Sequence, residues 1–221
     1  MLDMIEAESG DNPTASIIIL HGLGADGNDF VPIAEELDLD AVGPVRFLFP
    51  HAPEMPITIN GGYRMRAWYD VVSFDADAPQ DEAGLRRSQA LVEAVLAREQ
   101  ERGIPAHRIV LAGFSQGCAM SLLAGLRHPQ RLAGICGLSG YLPIAHTTAA
   151  ERSEANRQTP IFLAHGTHDE VVSFDRAEAS RDALLALGYP VEWHEYLIGH
   201  GVHPLEVTQL NDWLLRVLSA S

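Results

Sequence analysis

Gly113-Phe114-Ser115-Gln116-Gly117 carries the residue types and spacing best suited to covalent chemistry in this chain. A short apolar run, residues 109–112, precedes it, and a helix-like run, residues 118–126, follows it. Strand, G-x-S-x-G and helix, in that order, make a nucleophile elbow. A serine on so sharp a turn has its hydroxyl thrust out of the sheet. The flanking glycines are required because a side chain at either position would collide with the neighbouring strand or helix. The helix that starts behind Ser115 turns its free N–H groups and positive end toward the place where negative charge develops. The chemistry implied is attack of Ser115 on a carbonyl carbon.

A serine hydroxyl is a poor nucleophile at neutral pH. It needs a base within hydrogen-bond reach, and the base needs a third group to fix its tautomer. With this elbow the expected chain order is Ser, then Asp or Glu, then His. Asp169 follows the apolar run 161–164 and is the candidate acid, with Glu170 as its neighbour and rival. Asp70 and Asp75 precede Ser115 and break the order. Of the 10 histidines, only His194, His200 and His203 lie past the start of the last apolar run. His194 falls inside that run, and His203 adjoins Pro204 and is the reserve. His200, between two glycines, is the candidate base. Acyl transfer also needs donors for an oxyanion. One is the backbone N–H of Gln116; the other is expected from Leu23, in the glycine-rich stretch His21-Gly22-Leu23-Gly24.

Other chemistries find less support. His165-x-x-His168-Asp169 looks like a ligand cluster, but on an extended backbone His165 and His168 point to opposite faces. There is no H-E-x-x-H and no paired cysteine set, so no metal is expected. No P-loop is present, and no nucleotide cofactor is expected. Cys118 lies three residues past Ser115 on the helix, a place for packing rather than attack.

These residues need elements to carry them. Apolar, β-branched runs at 17–20, 45–49, 132–138, 160–164 and 191–197 read as strands, beside 109–112. Residues 2–9 are an edge-strand candidate. Helices are expected over 30–38 (capped by Asp29), 81–102, 118–126, 173–187 and from Pro204 to about 218. Residues 51–80 carry little regular pattern and read as a short insertion covering one side of the site. Residues 141–158 read as an irregular surface excursion. Strands alternating with helices over nearly the whole length predict α/β architecture with a doubly wound, mostly parallel sheet flanked by helices. In such sheets ligands gather at the carboxyl ends of the strands. Residues 21–28, Ser115, Asp169 and His200 all fall there.

Length and charge bound the rest. A chain of 221 residues is most simply one domain, 1–221. The net charge is −15, and all 15 basic residues are arginine. That balance argues against nucleic acid and anionic membrane surfaces as partners. The two cysteines, Cys118 and Cys136, suit a reducing compartment as buried thiols. No apolar run approaches membrane-spanning length and no signal-peptide pattern precedes the first strand, so a cytoplasmic location is expected.

Residues 21–27, Phe49-Pro-His-Ala-Pro53, Trp68-Tyr-Asp70, Gly113-Phe-Ser-Gln-Gly117, His165-Gly-Thr-His-Asp169 and Gly199-His200 together resemble the carboxylesterase, acyl-protein thioesterase and lysophospholipase family of the α/β-hydrolase fold. The pattern looks most like the bacterial carboxylesterase branch and runs, in order, from about residue 15 to the C-terminus. The resemblance implies an α/β-hydrolase fold without a large cap domain, with Ser115, Asp169 and His200 at catalytic positions. It places Leu23 and Gln116 at oxyanion positions. It makes Trp68 and Val71 candidate walls of an acyl groove, with core packing the alternative for each. Cys118 stands where the family often has a second glycine, which alters packing behind the serine. The activity implied is metal-free hydrolysis of small to medium acyl esters through an acyl-enzyme. The alternative is a thioesterase or lysophospholipase acting on long acyl chains carried by a protein or lipid. A further alternative is a binding protein on a degenerate scaffold. A homodimer is compatible with the resemblance.

Overall fold

The computed structural model describes residues 2–75 and 77–219. Nine strands are present among them: β1 (Met4–Glu8), β2 (Ala15–Leu20), β3 (Val45–Pro50), β4 (Glu54–Ile57), β5 (Tyr63–Arg66), β6 (Ile109–Phe114), β7 (Gly134–Leu138), β8 (Ile161–Gly166) and β9 (Val191–Tyr196). The α-helices are α1 (Val31–Glu35), α2 (Glu82–Glu101), α3 (Gln116–Gly125), α4 (Ala145–Glu151), α5 (Phe174–Ala186) and α6 (Pro204–Ser219). Seven strands form one sheet in the order β1-β3-β2-β6-β7-β8-β9. Only β1 runs antiparallel, along β3 at the edge; every other pairing is parallel. This is the α/β-hydrolase fold.

Alternation along the central strands divides the core in two. Ile18 and Leu20 of β2 face the layer of α2 and α3, where Leu85, Val92, Leu96, Leu122 and Leu123 are buried. Ile17 and Ile19 face the opposite layer, filled by Ala34 of α1 and by Leu210, Trp213, Leu214 and Val217 of α6. Parallel strands covered on both faces read as continuous apolar runs for this reason. Strand β7 supplies room as well as apolar surface. A Cβ on Gly134 would come within 2.5 Å of the Trp213 ring, and one on Gly137 within 2.6 Å of the Cys118 sulfur. Both cysteines are buried, unpaired thiols, pushed up by burial, Cys118 to about 12.

Three expectations of local structure need correction. The stretch 30–38 holds only the short α1, preceded by a 3-10 turn at Gly27–Phe30; Asp26 caps that turn, accepting from the Asn28 N–H at 2.8 Å, and α1 has no side-chain cap from Asp29. Pro32 suits the first turn of α1, and nothing beyond Glu36 extends it. Residues 51–80 are not patternless. Strands β4 and β5 form a hairpin, stapled by Asp70, whose carboxylate accepts from the Thr58 N–H at 2.8 Å and hydroxyl at 2.5 Å. The excursion 141–158 contains α4 and buries Leu142, Ile144, Thr148 and Asn156. Asn156 holds the chain there through its Oδ1, which accepts from the Leu132 N–H at 2.9 Å. Elsewhere the helix signals match: Asp81 caps α2 through the Gly84 N–H at 2.9 Å, and Pro204 opens α6.

Candidate active site

Strand β6 and helix α3 meet at Ser115, the residue between them. Its backbone is at φ 56° and ψ −115°, outside the regions that L-residues normally occupy. The Ser115 N–H donates to the Leu138 carbonyl at 2.9 Å, which anchors the turn to β7. A Cβ on Gly113 would stand 2.2 Å from the Gly117 backbone, and one on Gly117 would stand 1.9 Å from the Leu20 carbonyl oxygen. Glycine at both positions is thus a condition of the turn. Behind the serine, the Cys118 side chain fills space left by Gly137 and Gly140.

The loops after β8 and β9 bring the acid and the base to this turn. His200 Nε2 lies 3.0 Å from Ser115 Oγ, and its Nδ1 lies 2.7 Å from Asp169 Oδ2. The imidazole rests against the Phe114 ring, 4.8 Å between centroids. The other carboxylate oxygen of Asp169 accepts from the Val171 and Val172 N–H groups at 2.8 and 2.9 Å. Burial alone would raise the Asp169 carboxyl. The His200 hydrogen bond and the two backbone donors outweigh it and hold the group below the usual carboxylate range.

His165 was not singled out for this role by sequence, yet it supports the same loop. It is buried, with Nε2 2.8 Å from the Val172 carbonyl and 3.3 Å from Asp169 Oδ2. Burial lowers its pKa. The motif His165-Gly-Thr-His-Asp169 was visible, but its first histidine acts on the backbone of the turn. Among the described residues no group of three or more His, Cys, Asp or Glu is placed to hold a metal ion. Of the rivals, Glu170 is exposed, and His203 stacks on Tyr196 at 5.4 Å and accepts from the Leu205 N–H at 3.1 Å, at the start of α6.

The oxyanion candidates are held by side chains that sequence reading did not connect. His21 is buried; its Nε2 accepts from the Ala52 N–H at 3.0 Å, so Nδ1 carries the proton and donates to the Gly22 carbonyl at 2.7 Å. A neutral imidazole therefore pins the loop that carries Leu23. A Cβ on Gly22 would lie a tight 3.3 Å from the Ser115 Cβ. The Gln116 side chain accepts from the Trp68 N–H at 3.0 Å and donates to the Tyr69 carbonyl at 2.8 Å. Among the described residues, no protein acceptor takes the Leu23 or Gln116 N–H. Gln116 opens α3, where N–H groups have no partner within the helix.

A cavity of about 350 Å³ opens at Ser115. Leu23, Val71, Val72, Phe74 and Val172 give it apolar walls, and Tyr69, Tyr141 and Arg176 line it as well. Val71 is thus at the wall. Trp68 is not: it is fully buried in the core, and its Nε1–H donates to the His21 carbonyl at 2.9 Å. The residues that follow it, Tyr69, Asp70 and Val71, line the cavity instead. Tyr141 and Arg176 were missed because nothing local marks them, and Tyr69, although inside Trp68-Tyr-Asp70, was not marked as a wall residue. They meet only through the packing of three separate segments.

The chain matches the phospholipase/carboxylesterase family model over residues 3–218. It is 41% identical over 206 residues to acyl-protein thioesterase 1 of Yarrowia lipolytica, covering 91% of each chain. Its fold superposes on Zea mays acyl-protein thioesterase 2 with TM-score 0.86 at 30% identity, covering 99% of this chain and 100% of that one. Arabidopsis thaliana SOBER1 gives TM-score 0.88 at 32% identity over 92% of this chain and 99% of the other.

Proposed function

The chain belongs to the phospholipase/carboxylesterase family and is a serine hydrolase, and from that premise we propose that it hydrolyses acyl thioesters and esters through Ser115, His200 and Asp169. The observation that carries this reading is the continuous relay, 3.0 Å from Ser115 Oγ to His200 Nε2 and 2.7 Å from His200 Nδ1 to Asp169. In the first step His200 takes the Ser115 proton as Oγ attacks the carbonyl carbon. The Leu23 and Gln116 N–H groups receive the oxyanion, and losing one such donor costs about 2.7–4 kcal/mol of transition-state stabilisation. His200 then passes its proton to the departing thiol or alcohol. Water, deprotonated by His200, attacks the acyl-enzyme, and His200 returns that proton to Ser115 Oγ as the acid leaves. Asp169 holds the imidazole in the required tautomer and stabilises its charged form.

Relatives named acyl-protein thioesterase favour an acyl group carried on a protein as substrate, over the small to medium ester first expected from the sequence. The apolar walls Val71, Val72, Phe74 and Val172 suit an acyl chain of either kind. A cavity of about 350 Å³ is near the lower end of the range usual for ligand pockets, and this favours the second reading, a short-acyl carboxylesterase. The test is hydrolysis of p-nitrophenyl esters from acetate to palmitate, and of an S-palmitoyl peptide, by wild type and Ser115→Ala. The expected result is a drop of more than about a thousandfold in the variant and turnover of the palmitoyl peptide. Equal activity in wild type and variant would overturn the nucleophile assignment. A sharp optimum at short acyl chains, with no turnover of the peptide, would favour the second reading.

A further inference from the structure

Arg176 is a cation without an ion pair in the wall of the cavity at Ser115. Eight of the 15 arginines pair with a carboxylate among the described residues. Arg181, the helix-mate of Arg176, pairs with Glu178 and Asp182, and Arg86 pairs with Glu82 and Glu151. Among the described residues Arg176 has no carboxylate within ion-pair distance. Its guanidinium instead lies over the Tyr141 ring, 3.5 Å from the centroid. Tyr141 is itself held by the Tyr69 hydroxyl at 2.7 Å. All three side chains line the cavity that opens at Ser115.

Stacking uses the face of a guanidinium and leaves its edge free. That edge carries a planar fork of N–H donors that matches a carboxylate or phosphate. Arg176 is the single permanently cationic side chain among the described residues of the cavity wall, which also includes two carboxylates, Asp29 and Asp70. Asp70 is already engaged with Thr58. An anion inside the cavity would be attracted at one point and repelled elsewhere, which fixes its position. We propose that Arg176 is an anion-recognition residue, selecting substrates that carry a carboxylate or phosphate at a distance from the scissile carbonyl. The inference deepens the acyl-hydrolase reading and rests on it for the placement of that carbonyl.

Two pairs of esters test it and separate the two ends of the substrate. On the acyl side, p-nitrophenyl monoesters of six- to eight-carbon dicarboxylic acids are compared with neutral esters of equal length. On the alcohol side, hexanoyl glycerol phosphate is compared with hexanoyl glycerol. Each is assayed with wild type, Arg176→Gln and Arg176→Lys. The expected result is a fall in kcat/KM of about tenfold or more for one anionic ester in Arg176→Gln, the loss of a charge-assisted hydrogen bond. The neutral counterpart stays within about threefold, and Arg176→Lys recovers part of the loss. An equal fall for neutral and anionic esters would make Arg176 only a prop for Tyr141 and overturn the proposal. So would no fall for either anionic ester. Calorimetric binding of the corresponding ω-carboxy and neutral amides to the Ser115→Ala variant keeps the two readings apart. Arg176-dependent binding of the anionic amide supports anion recognition even if turnover fails. Turnover of neutral esters, with anionic amides binding equally to Ser115→Ala and Ser115→Ala/Arg176→Gln, removes anion recognition alone.

Discussion

Two buried serine–carboxylate clusters sit at opposite strand ends of one sheet, at the amino ends and at the carboxyl ends. At the amino ends of β2 and β3, the fully buried Glu99 accepts from the Ser16 hydroxyl at 2.5 Å, from Arg46 at 2.9 Å and from Arg102 at 2.9 Å. At the carboxyl ends, Asp169 meets Ser115 only through His200. Both carboxylates are paired and out of water. The partners differ in kind. A guanidinium does not lose its proton in a protein, so the Glu99 cluster is saturated and static. An imidazole exchanges its proton near neutral pH and can pass one on. Burial and pairing alone therefore do not mark a carboxylate that works in chemistry; the titratable partner does.

The largest expected effect comes from Asp169→Asn. The amide would favour the wrong His200 tautomer, and kcat should fall by about 10⁴ while the fold remains. Steady-state kinetics corrected by active-site titration would check this, and a loss under tenfold would erase the distinction between the clusters. Glu99→Ala should do the reverse. Leaving Arg46 and Arg102 short of a buried partner should cost about 3–5 kcal/mol of stability, towards the lower figure because Arg46 keeps Glu8 and Arg102 keeps Glu6. Urea unfolding would read the loss, and turnover per folded molecule should be unchanged.

Glu206 sharpens the comparison as a buried carboxyl with no cation. Its Oε2 accepts from the His203 N–H at 3.0 Å and its Oε1 has no partner. Burial pushes it from 4.5 to about 7. A carboxyl raised on folding stabilises fully below its unfolded pKa, and that contribution is lost as pH rises through the folded value. Stability should thus decline between pH 4.5 and about 7 on account of this group. Glu206→Gln should be more stable than wild type at pH 8 by about 3 kcal/mol, with the gap closing near pH 4.5. Thermal unfolding at both pH values would show it, and a gap independent of pH would refute it. The smallest effect is expected at Trp68→Phe. It keeps most of the apolar bulk but leaves the His21 carbonyl without its donor, at about 1–2 kcal/mol. A kcat/KM only a few times lower should accompany it, since Gln116 still grips the backbone of residues 68 and 69.

The Glu99 cluster was invisible in the sequence, since Ser16, Arg46 and Glu99 lie in three elements with no shared motif. The same holds for Tyr69, Tyr141 and Arg176 at the cavity. Trp68 was legible as a groove wall or a core residue without a choice between them, because a single tryptophan in a short loop carries no periodicity to say which way it faces; the structure takes the core alternative. The hairpin of β4 and β5 was missed for a related reason. Its strands have four residues each, alternate weakly and hold Pro56.

What the sequence determined by itself was local. Apolar runs of four to seven residues placed six of the seven main-sheet strands, glycines at 113 and 117 required the elbow, and chain order left Asp169, with Glu170 as rival, and His200, with His203 in reserve. These follow from backbone sterics and side-chain periodicity, which act within a few residues. The tertiary structure alone decided which neutral histidine pins the Leu23 loop, which aromatic walls the cavity and which arginine joins it there. Such choices depend on strand register and helix packing, which bring together side chains tens of residues apart, and no window of sequence contains them.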